Sequence, residues 1–239
     1  MKKPIFLAIA LILAGAEGTA TDGMLDQKVS EARRHMRAAC QTVQQAVKTG
    51  VVGQSAIKES AVAEASKAER LWTELAQEYA VSVPEGYAGD PGWAQRLEDV
   101  RLNIARMGKE ISKDEWRPAF LSCAHDCNLV TTMHEANGMT LAIDVMAVLR
   151  KKVGFARGLL ASEKPEKAQA LVKEILATRD AVLLAPPPNT LTRETYLDAL
   201  PELSHSVDAM ARAVGDGADL KSALDKLAII VERVYELAI

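Results

Sequence analysis

Apolar residues recur every three or four positions along most of this chain, a spacing that places them on one face of an α-helix. In the first such stretch, about 22–48, the stripe consists of Val29, Ala32, Met36, Ala39, Cys40, Val43 and Val47. Ala and Leu dominate the apolar residues, and aromatic residues make up only 4% of the chain. Because Ala and Leu are strong helix formers, the sequence predicts an all-α protein.

Turns that contain Gly or Pro divide this pattern into eight predicted helices. We expect them at about 22–48, 55–79, 92–111, 114–136, 139–161, 165–184, 191–214 and 219–237. The connections are mostly short, which favours antiparallel neighbours. Asn137-Gly138 falls between the fourth and fifth helices. The sequence therefore predicts two tandem antiparallel four-helix bundles, at 21–137 and 138–239, or one long continuous bundle if these two residues do not break the helix.

Local signals refine two regions. Ser112 and Glu115 have the spacing of a capping box, so the fourth helix is expected to begin near residue 114. Trp72, Trp93 and Trp116 flank the loops around the third helix. They are expected to cover the ends of the bundle, with an aromatic ligand pocket as the alternative.

Residues 1–20 have the features of a secretory signal peptide. Lys2 and Lys3 precede an apolar run at about 5–14, and small residues at 18–20 offer a cleavage site. The run is shorter than the roughly 20 residues that a membrane span requires. We therefore expect a soluble periplasmic protein with no membrane span after removal of the signal.

The charge of the chain indicates which partners to expect. Its net charge is −3, and acidic and basic residues are mixed without a basic stripe. Nucleic acid is therefore not an expected partner. The sequence also lacks a Gly-rich phosphate loop, a Gly-x-Ser-x-Gly motif and a His-Glu-x-x-His motif. We expect a protein that is not an enzyme.

The segment SCAHDCNLVTTMHEANG gathers soft metal ligands on the predicted fourth helix. Cys123 and Cys127 lie one turn apart on one face, and His134 lies on the same face about 10 Å farther along the axis. Met133 sits beside His134, whereas His125 points to nearly the opposite face and is expected to be solvated.

The predicted first helix offers partners for these ligands. If it packs antiparallel to the fourth helix, one layer holds the cysteines and a second layer holds the imidazoles and thioethers. The candidate metal ligands are Cys40, Cys123, Cys127, His35, Met36, Met133 and His134. Thiolate, thioether and imidazole suit Cu(I) best and zinc second. The leading hypothesis is a periplasmic protein that binds or sequesters copper, with a periplasmic partner protein as a further candidate partner.

Two other interpretations of the cysteines stay open. Cysteines of exported proteins usually pair, so Cys40 could bond to Cys123 or Cys127 and staple the first helix to the fourth. A bond between Cys123 and Cys127 would strain a regular helix. The cysteines could also be inert core residues. With a staple, the protein would be a non-metal interaction or sensory module.

The second half of the chain resembles a known family. The stretches LRKKVGFARGLLASEKPEKAQALVKEILATRDAV and LPELSHSVDAMARAVGDGADLKSALDKL are similar to helices of the soluble periplasmic b-type four-helix cytochromes, in permuted order. The resemblance covers about 143–239 and implies a four-helix fold and a haem-binding electron carrier. Leu183 and Leu203 stand where the haem ligands would be, and leucine cannot bind iron. His205 lies close to the second position.

The first half, about 22–136, more loosely resembles the c-type four-helix cytochromes. These carry Cys-x-x-Cys-His in their last helix, a haem-attachment motif. Here Cys123-Ala-His-Asp-Cys127 has three residues between the cysteines, and Asn128 follows in place of His. Haem is therefore the alternative cofactor to copper.

Overall fold

The computed structural model describes residues 20–50, 55–188, 191–215 and 217–239. All regular structure in these residues is helical and no strand occurs among them, which confirms the predicted all-α class. The α-helices of these residues are α1 (Ala20–Thr49), α2 (Ser55–Tyr79), α3 (Trp93–Ser112), α4 (Trp116–Ala136), α5 (Ala142–Ala161), α6 (Pro165–Leu184), α7 (Arg193–Arg212) and α8 (Gly217–Ala238). Residues 1–19 of the predicted signal peptide lie outside the described residues.

Helices α1 to α4 form a four-helix bundle, called the first bundle below. Each helix packs against the next, and α1 also packs against α4, which closes the bundle. The apolar stripe of α1 faces the core, where Val29, Ala32, Met36, Ala39 and Val43 are buried. Two predicted stripe residues lie at its margin, because Cys40 is half-buried and Val47 is exposed.

The tryptophans of the first bundle are buried, and two of them bond to backbone carbonyl groups. Trp93 Nε1 donates to the carbonyl oxygen of Tyr79 at 2.7 Å, and the Trp93 ring stacks on Tyr87 with centroids 4.2 Å apart. Trp93 begins α3 and Tyr79 ends α2, so this indole covers the end of the bundle where the two helices meet. Trp72 lies within α2 and donates to the carbonyl oxygen of Leu97 at 2.8 Å.

Helices α5 to α8 form the second bundle. Successive helices pack against each other and α5 packs against α8, around a core separate from that of the first bundle. Leu203 is fully buried in this core, whereas Leu183 near the end of α6 is 42% exposed. Pro201 lies inside α7, and the helix continues through it.

The break between the bundles lies where Asn137 and Gly138 predicted it. Helix α4 ends at Ala136, and Gly138 has a left-handed backbone with φ +69°. The Asn137 amide donates to the Met133 carbonyl oxygen at 2.8 Å and so caps the last turn of α4. The alternative of one continuous helix from the fourth to the fifth segment is therefore wrong.

The predicted capping box does not form. Helix α3 extends to Ser112, whose hydroxyl group donates to the Lys109 carbonyl oxygen at 2.7 Å instead of capping α4. The chain then turns through Asp114, which has φ +61°, and α4 begins at Trp116. Glu115, at the N-cap position of α4, makes no side-chain cap hydrogen bond.

None of the helices in the described part of the chain has the length and apolar character that crossing a membrane would require.

Candidate functional site

Cys40 on α1 and Cys123 on α4 form a disulfide bond, with Cα atoms 5.7 Å apart. The bond joins residues 83 positions apart and ties the first helix of the first bundle to its last. This is one of the two staples that the sequence left open. Cys127, one turn after Cys123 on α4, is a half-buried free thiol.

A methionine from α3 lies against the disulfide. Met107 Sδ is 3.3 Å from Cys123 Sγ and 3.7 Å from Cys40 Sγ. Met107 is fully buried, and nothing in its sequence surroundings distinguished it from an ordinary core residue. Sulfur atoms from α1, α3 and α4 therefore lie in contact inside the first bundle.

The other predicted metal ligands are directed to different neighbours. His35 Nδ1 lies 2.6 Å from a carboxylate oxygen of Glu64 on α2, and His134 Nδ1 lies 2.6 Å from Asp144 on α5. Met36 and Met133 are buried in the core of the first bundle. Thus the structure brings Cys40 and Cys123 together but does not bring the two histidines to a shared point.

His125 is exposed, in agreement with its predicted position on the solvent side of the fourth helix. Among the described residues, no group of three or more His, Cys, Asp or Glu side chains is arranged to hold a metal ion. In the oxidised protein, two of the three predicted thiolate ligands are not available, because a disulfide sulfur carries no thiolate charge.

Asp144, in the first turn of α5, is the centre of a buried polar network between the bundles. Its carboxylate accepts a hydrogen bond from Arg33 Nη2 at 2.8 Å, contacts His134, and lies 3.2 Å from the Thr131 hydroxyl oxygen. Arg33, His134 and Asp144 are all buried. The network links α1 and α4 of the first bundle to α5 of the second.

The environment of Asp144 favours its ionised form. Burial by itself would raise the pKa of this carboxyl group, but the Arg33 charge and the bonds from His134 and Arg33 outweigh that effect. Together they lower the pKa of Asp144 to about 2.

A second ionic group links α1 to α8. Arg37 Nη2 pairs with Glu232 and lies 3.3 Å from Glu236, and Arg150 Nε of α5 lies 2.5 Å from Glu232. The Arg37 and Arg150 guanidinium carbons lie 4.7 and 5.3 Å from the ring centroid of Tyr235, so the ring contacts two cations. Such contacts hold arginine side chains in place over the aromatic ring.

A cavity of about 220 Å³, called the junction cavity below, lies between these two ionic groups. It is bounded by α1 and α4 of the first bundle and by α5 and α8 of the second. The lining residues are Arg33, Met36, Arg37, Cys40, Gln41, Gln44, Phe120, Cys123, Ala124, Cys127, Arg150, Lys151 and Tyr235. Four of them are cationic and none is acidic.

Two of these arginines retain unused hydrogen-bond donors. Nη1 of Arg33 and Nη1 of Arg37 are buried and have no hydrogen-bond partner among the described residues. The Arg33 and Arg37 side chains are only 6% and 11% exposed, so water has little access to them. A buried donor without a partner costs about 1–3 kcal/mol, and more when it is charged.

The surface groove beside the junction cavity has a different charge pattern. This groove of about 950 Å³ is lined by acidic as well as basic residues, and two of the arginines, Arg150 and Arg157, pair with carboxylates of the same lining. Arg157 Nε, for example, lies 2.7 Å from an Asp225 carboxylate oxygen, which Lys221 also contacts at 2.9 Å. The groove therefore has carboxylates within its own lining, whereas the lining of the junction cavity has none.

Sequence reasoning named the cysteines and Met36 that line this site but missed its charged residues. Asp144 could have been found from the sequence, because it is the one charged residue in the apolar run LAIDVMAVL. A carboxylate in such a run is expected to be buried and therefore to need a partner. Arg33 and Arg37 lie one turn apart beside the apolar stripe of α1, but ordinary surface arginines have the same spacing. Their burial depends on a second bundle that the local pattern does not contain.

Comparisons of the chain with protein-family models, with curated proteins and with solved structures found no match. The fold and the site therefore define the class of protein directly. It is an all-α helical-bundle protein with a disulfide and a basic cavity at the junction of its two bundles. The resemblance to four-helix cytochromes stays a prediction.

Proposed function

We propose that this protein is an exported, non-catalytic interaction or sensory module, stapled by the bond between Cys40 and Cys123. The observation that carries this proposal is the disulfide itself, because such bonds persist mainly in oxidising compartments such as the periplasm. The expected signal peptide at 1–20 agrees with this location.

The junction between the bundles supports a binding role over a purely structural one. The two bundles have separate apolar cores and are linked through buried charged groups. Polar interfaces of this kind allow neighbouring units to move relative to each other more readily than a shared apolar core. A ligand or partner at the junction could therefore change how the bundles are arranged.

Thiol counting on the purified mature protein tests this proposal. In denaturant without reductant, one thiol should react with a thiol reagent, and after reduction three should react. The oxidised protein should also be more stable to urea than the C40S/C123S variant, by about 4.5 kcal/mol for a loop of this length. C127S is the matched control and should keep the stability of the oxidised protein. Three free thiols in protein purified from the periplasm would contradict the proposal.

Soft-metal binding is a second candidate function, and one observation favours it. If the disulfide is reduced, the thiols of Cys40 and Cys123 and the Met107 thioether lie within about 4 Å of each other. Two thiols and a thioether suit Cu(I). We propose that any copper would bind at these three sulfurs, with Cys127 as a further ligand, and that the histidines would take no part.

Titration of the anaerobically reduced protein with Cu(I) tests this second candidate. One equivalent should bind, M107L should weaken binding at least tenfold, and the H134Q variant should bind as the wild type does. Uptake of less than a tenth of an equivalent by the reduced protein would remove the candidate. Visible spectroscopy of the same sample would reveal haem, the alternative cofactor, by its strong absorption band.

A further inference from the structure

The cationic side chains that line the junction cavity are only partly neutralised by the residues they contact. Arg33 pairs with Asp144, Arg37 pairs with Glu232 and lies 3.3 Å from Glu236, and Arg150 also pairs with Glu232. Lys151 Nζ donates to the neutral side-chain oxygen of Asn128 at 2.7 Å rather than to a carboxylate. These carboxylates all lie outside the cavity lining. The surface that faces the empty space is therefore cationic.

Two guanidinium groups of the cavity lining lack hydrogen-bond acceptors. Arg33 and Arg37 lie one turn apart on α1, and each has a buried Nη1 with no partner among the described residues. Arg33 is the more enclosed of the two, because only 6% of its side chain is exposed. A guanidinium group binds planar oxyanions through two parallel N–H donors, and it does so more strongly than neutral donors can. Because Arg33 and Arg37 both line the junction cavity, an oxyanion there would supply the missing acceptors once the guanidinium groups turn towards it.

The remaining walls of the cavity are largely apolar. The buried Met36 lines it from α1, and Phe120 and Ala124 line it from α4. The ring of Tyr235 lies on the side of the second bundle. Binding sites for small molecules commonly combine apolar walls with a few polar groups that orient the ligand.

We propose that the junction cavity binds a small organic carboxylate with an apolar body. Its carboxylate group would accept hydrogen bonds from Arg33 and Arg37, and its apolar part would lie against Phe120 and the Tyr235 ring. The ligand would touch α1, α4, α5 and α8 together, so binding would hold the two bundles in one arrangement. This inference rests on the proposed function as an interaction or sensory module, and it supplies the class of ligand.

Benzoate is a suitable probe, because it combines a carboxylate with a compact apolar ring. Isothermal titration calorimetry on the oxidised mature protein should detect benzoate binding, and benzoate should raise the Tm because it binds only the folded state. Benzamide, which has the same shape without the charge, should bind at least tenfold more weakly. If inorganic phosphate binds and benzoate does not, or if neither binds, the proposal is overturned.

Matched variants locate the site. R37Q removes one of the two unpartnered donors and should weaken benzoate binding at least tenfold. R233Q, an exposed arginine on α8 that pairs with Glu202, is the control and should leave binding unchanged. A124W places an indole at the exposed edge of the cavity without changing its charge, so it should abolish binding while the Tm without benzoate stays the same. Wild-type benzoate affinity in R37Q or in A124W would overturn the assignment.

Cys127 provides an independent readout, because its free thiol lines the same cavity. Benzoate should slow alkylation of Cys127 by iodoacetamide several-fold in the wild type and have no effect in R37Q, as measured by mass spectrometry. Protection that persists in R37Q would contradict a site at the junction cavity. Thiol counting, which tests the proposed function, does not depend on benzoate, so the two proposals can fail separately.

Discussion

At the scale of single residues, Asp126 is buried on α4 in a way that should destabilise the protein at neutral pH. Its side chain has no solvent exposure, and neither carboxylate oxygen has a hydrogen-bond partner among the described residues. The nearby Asn103 amide donates to the Ser122 carbonyl oxygen instead. Burial raises the pKa of Asp126 to about 7, although Asn103 and the Arg106 charge act in the opposite direction.

A raised carboxyl pKa makes the folded state less stable as pH increases. The unfolded chain releases this proton near pH 4, whereas the folded chain holds it up to about pH 7. The contribution of Asp126 therefore becomes unfavourable between these values, by roughly 4 kcal/mol in total. We expect D126N to be more stable than the wild type at pH 8 and equally stable at pH 4.

Urea unfolding at the two pH values measures this difference, and pH 4 serves as the internal control. If D126N has the same effect on the free energy of unfolding at both pH values, the carboxyl group does not titrate in this range. A loss of stability at pH 8 would mean that the ionised carboxylate has a partner that the structure does not place beside it.

At the scale of helices, two glycines on either side of the bundle junction should respond oppositely to alanine. Gly138 ends α4 with φ +69°, and Gly154 lies inside α5 with ordinary helical geometry. A Cβ atom would contact nothing within 4 Å at either position, so only the backbone decides the outcome. An alanine is strained in the left-handed region and favoured inside a helix.

We therefore expect G138A to destabilise the protein by about 1 kcal/mol and G154A to stabilise it by up to about 1 kcal/mol. Urea denaturation monitored by circular dichroism would measure both variants, and each serves as the control for the other. Stabilisation by G138A would show that α4 and α5 can join into one helix in solution.

At the scale of the whole molecule, Asp144 couples the two bundles. Its lowered pKa of about 2 means that its contribution to stability is complete above about pH 4 and is lost as pH falls through about 2. The shift from the ordinary value of 3.8 corresponds to about 2 kcal/mol. Because Asp144 belongs to α5 and its partners to α1 and α4, this energy acts between the bundles.

The D144N variant should unfold in two steps at pH 7, whereas the wild type should unfold in one. All three tryptophans lie in the first bundle, so their fluorescence reports that bundle alone, while circular dichroism reports both bundles. The two signals should coincide in the wild type and separate in D144N. D225N, which removes an exposed carboxylate paired with Arg157 and Lys221, should cost less than about 1 kcal/mol and keep the signals together.

The sequence by itself determined the helices and where they end. The three-to-four spacing of apolar residues and the Gly and Pro breaks are local properties, and a helix is stabilised by bonds between residues four apart. These signals therefore predicted eight helices and the break at Asn137-Gly138. They failed at Ser112, where the hydroxyl group bonds back into its own helix.

Only the tertiary structure decided which side chains meet. The sequence placed Cys40 opposite two cysteines, but the choice of Cys123 depends on the relative rotation of α1 and α4. It offered His134 as a metal ligand, whereas the folded chain brings Asp144 of the second bundle against it. Such contacts join residues far apart in the chain through the packing of whole helices, and no local pattern of residues encodes their distance or the loss of water around them.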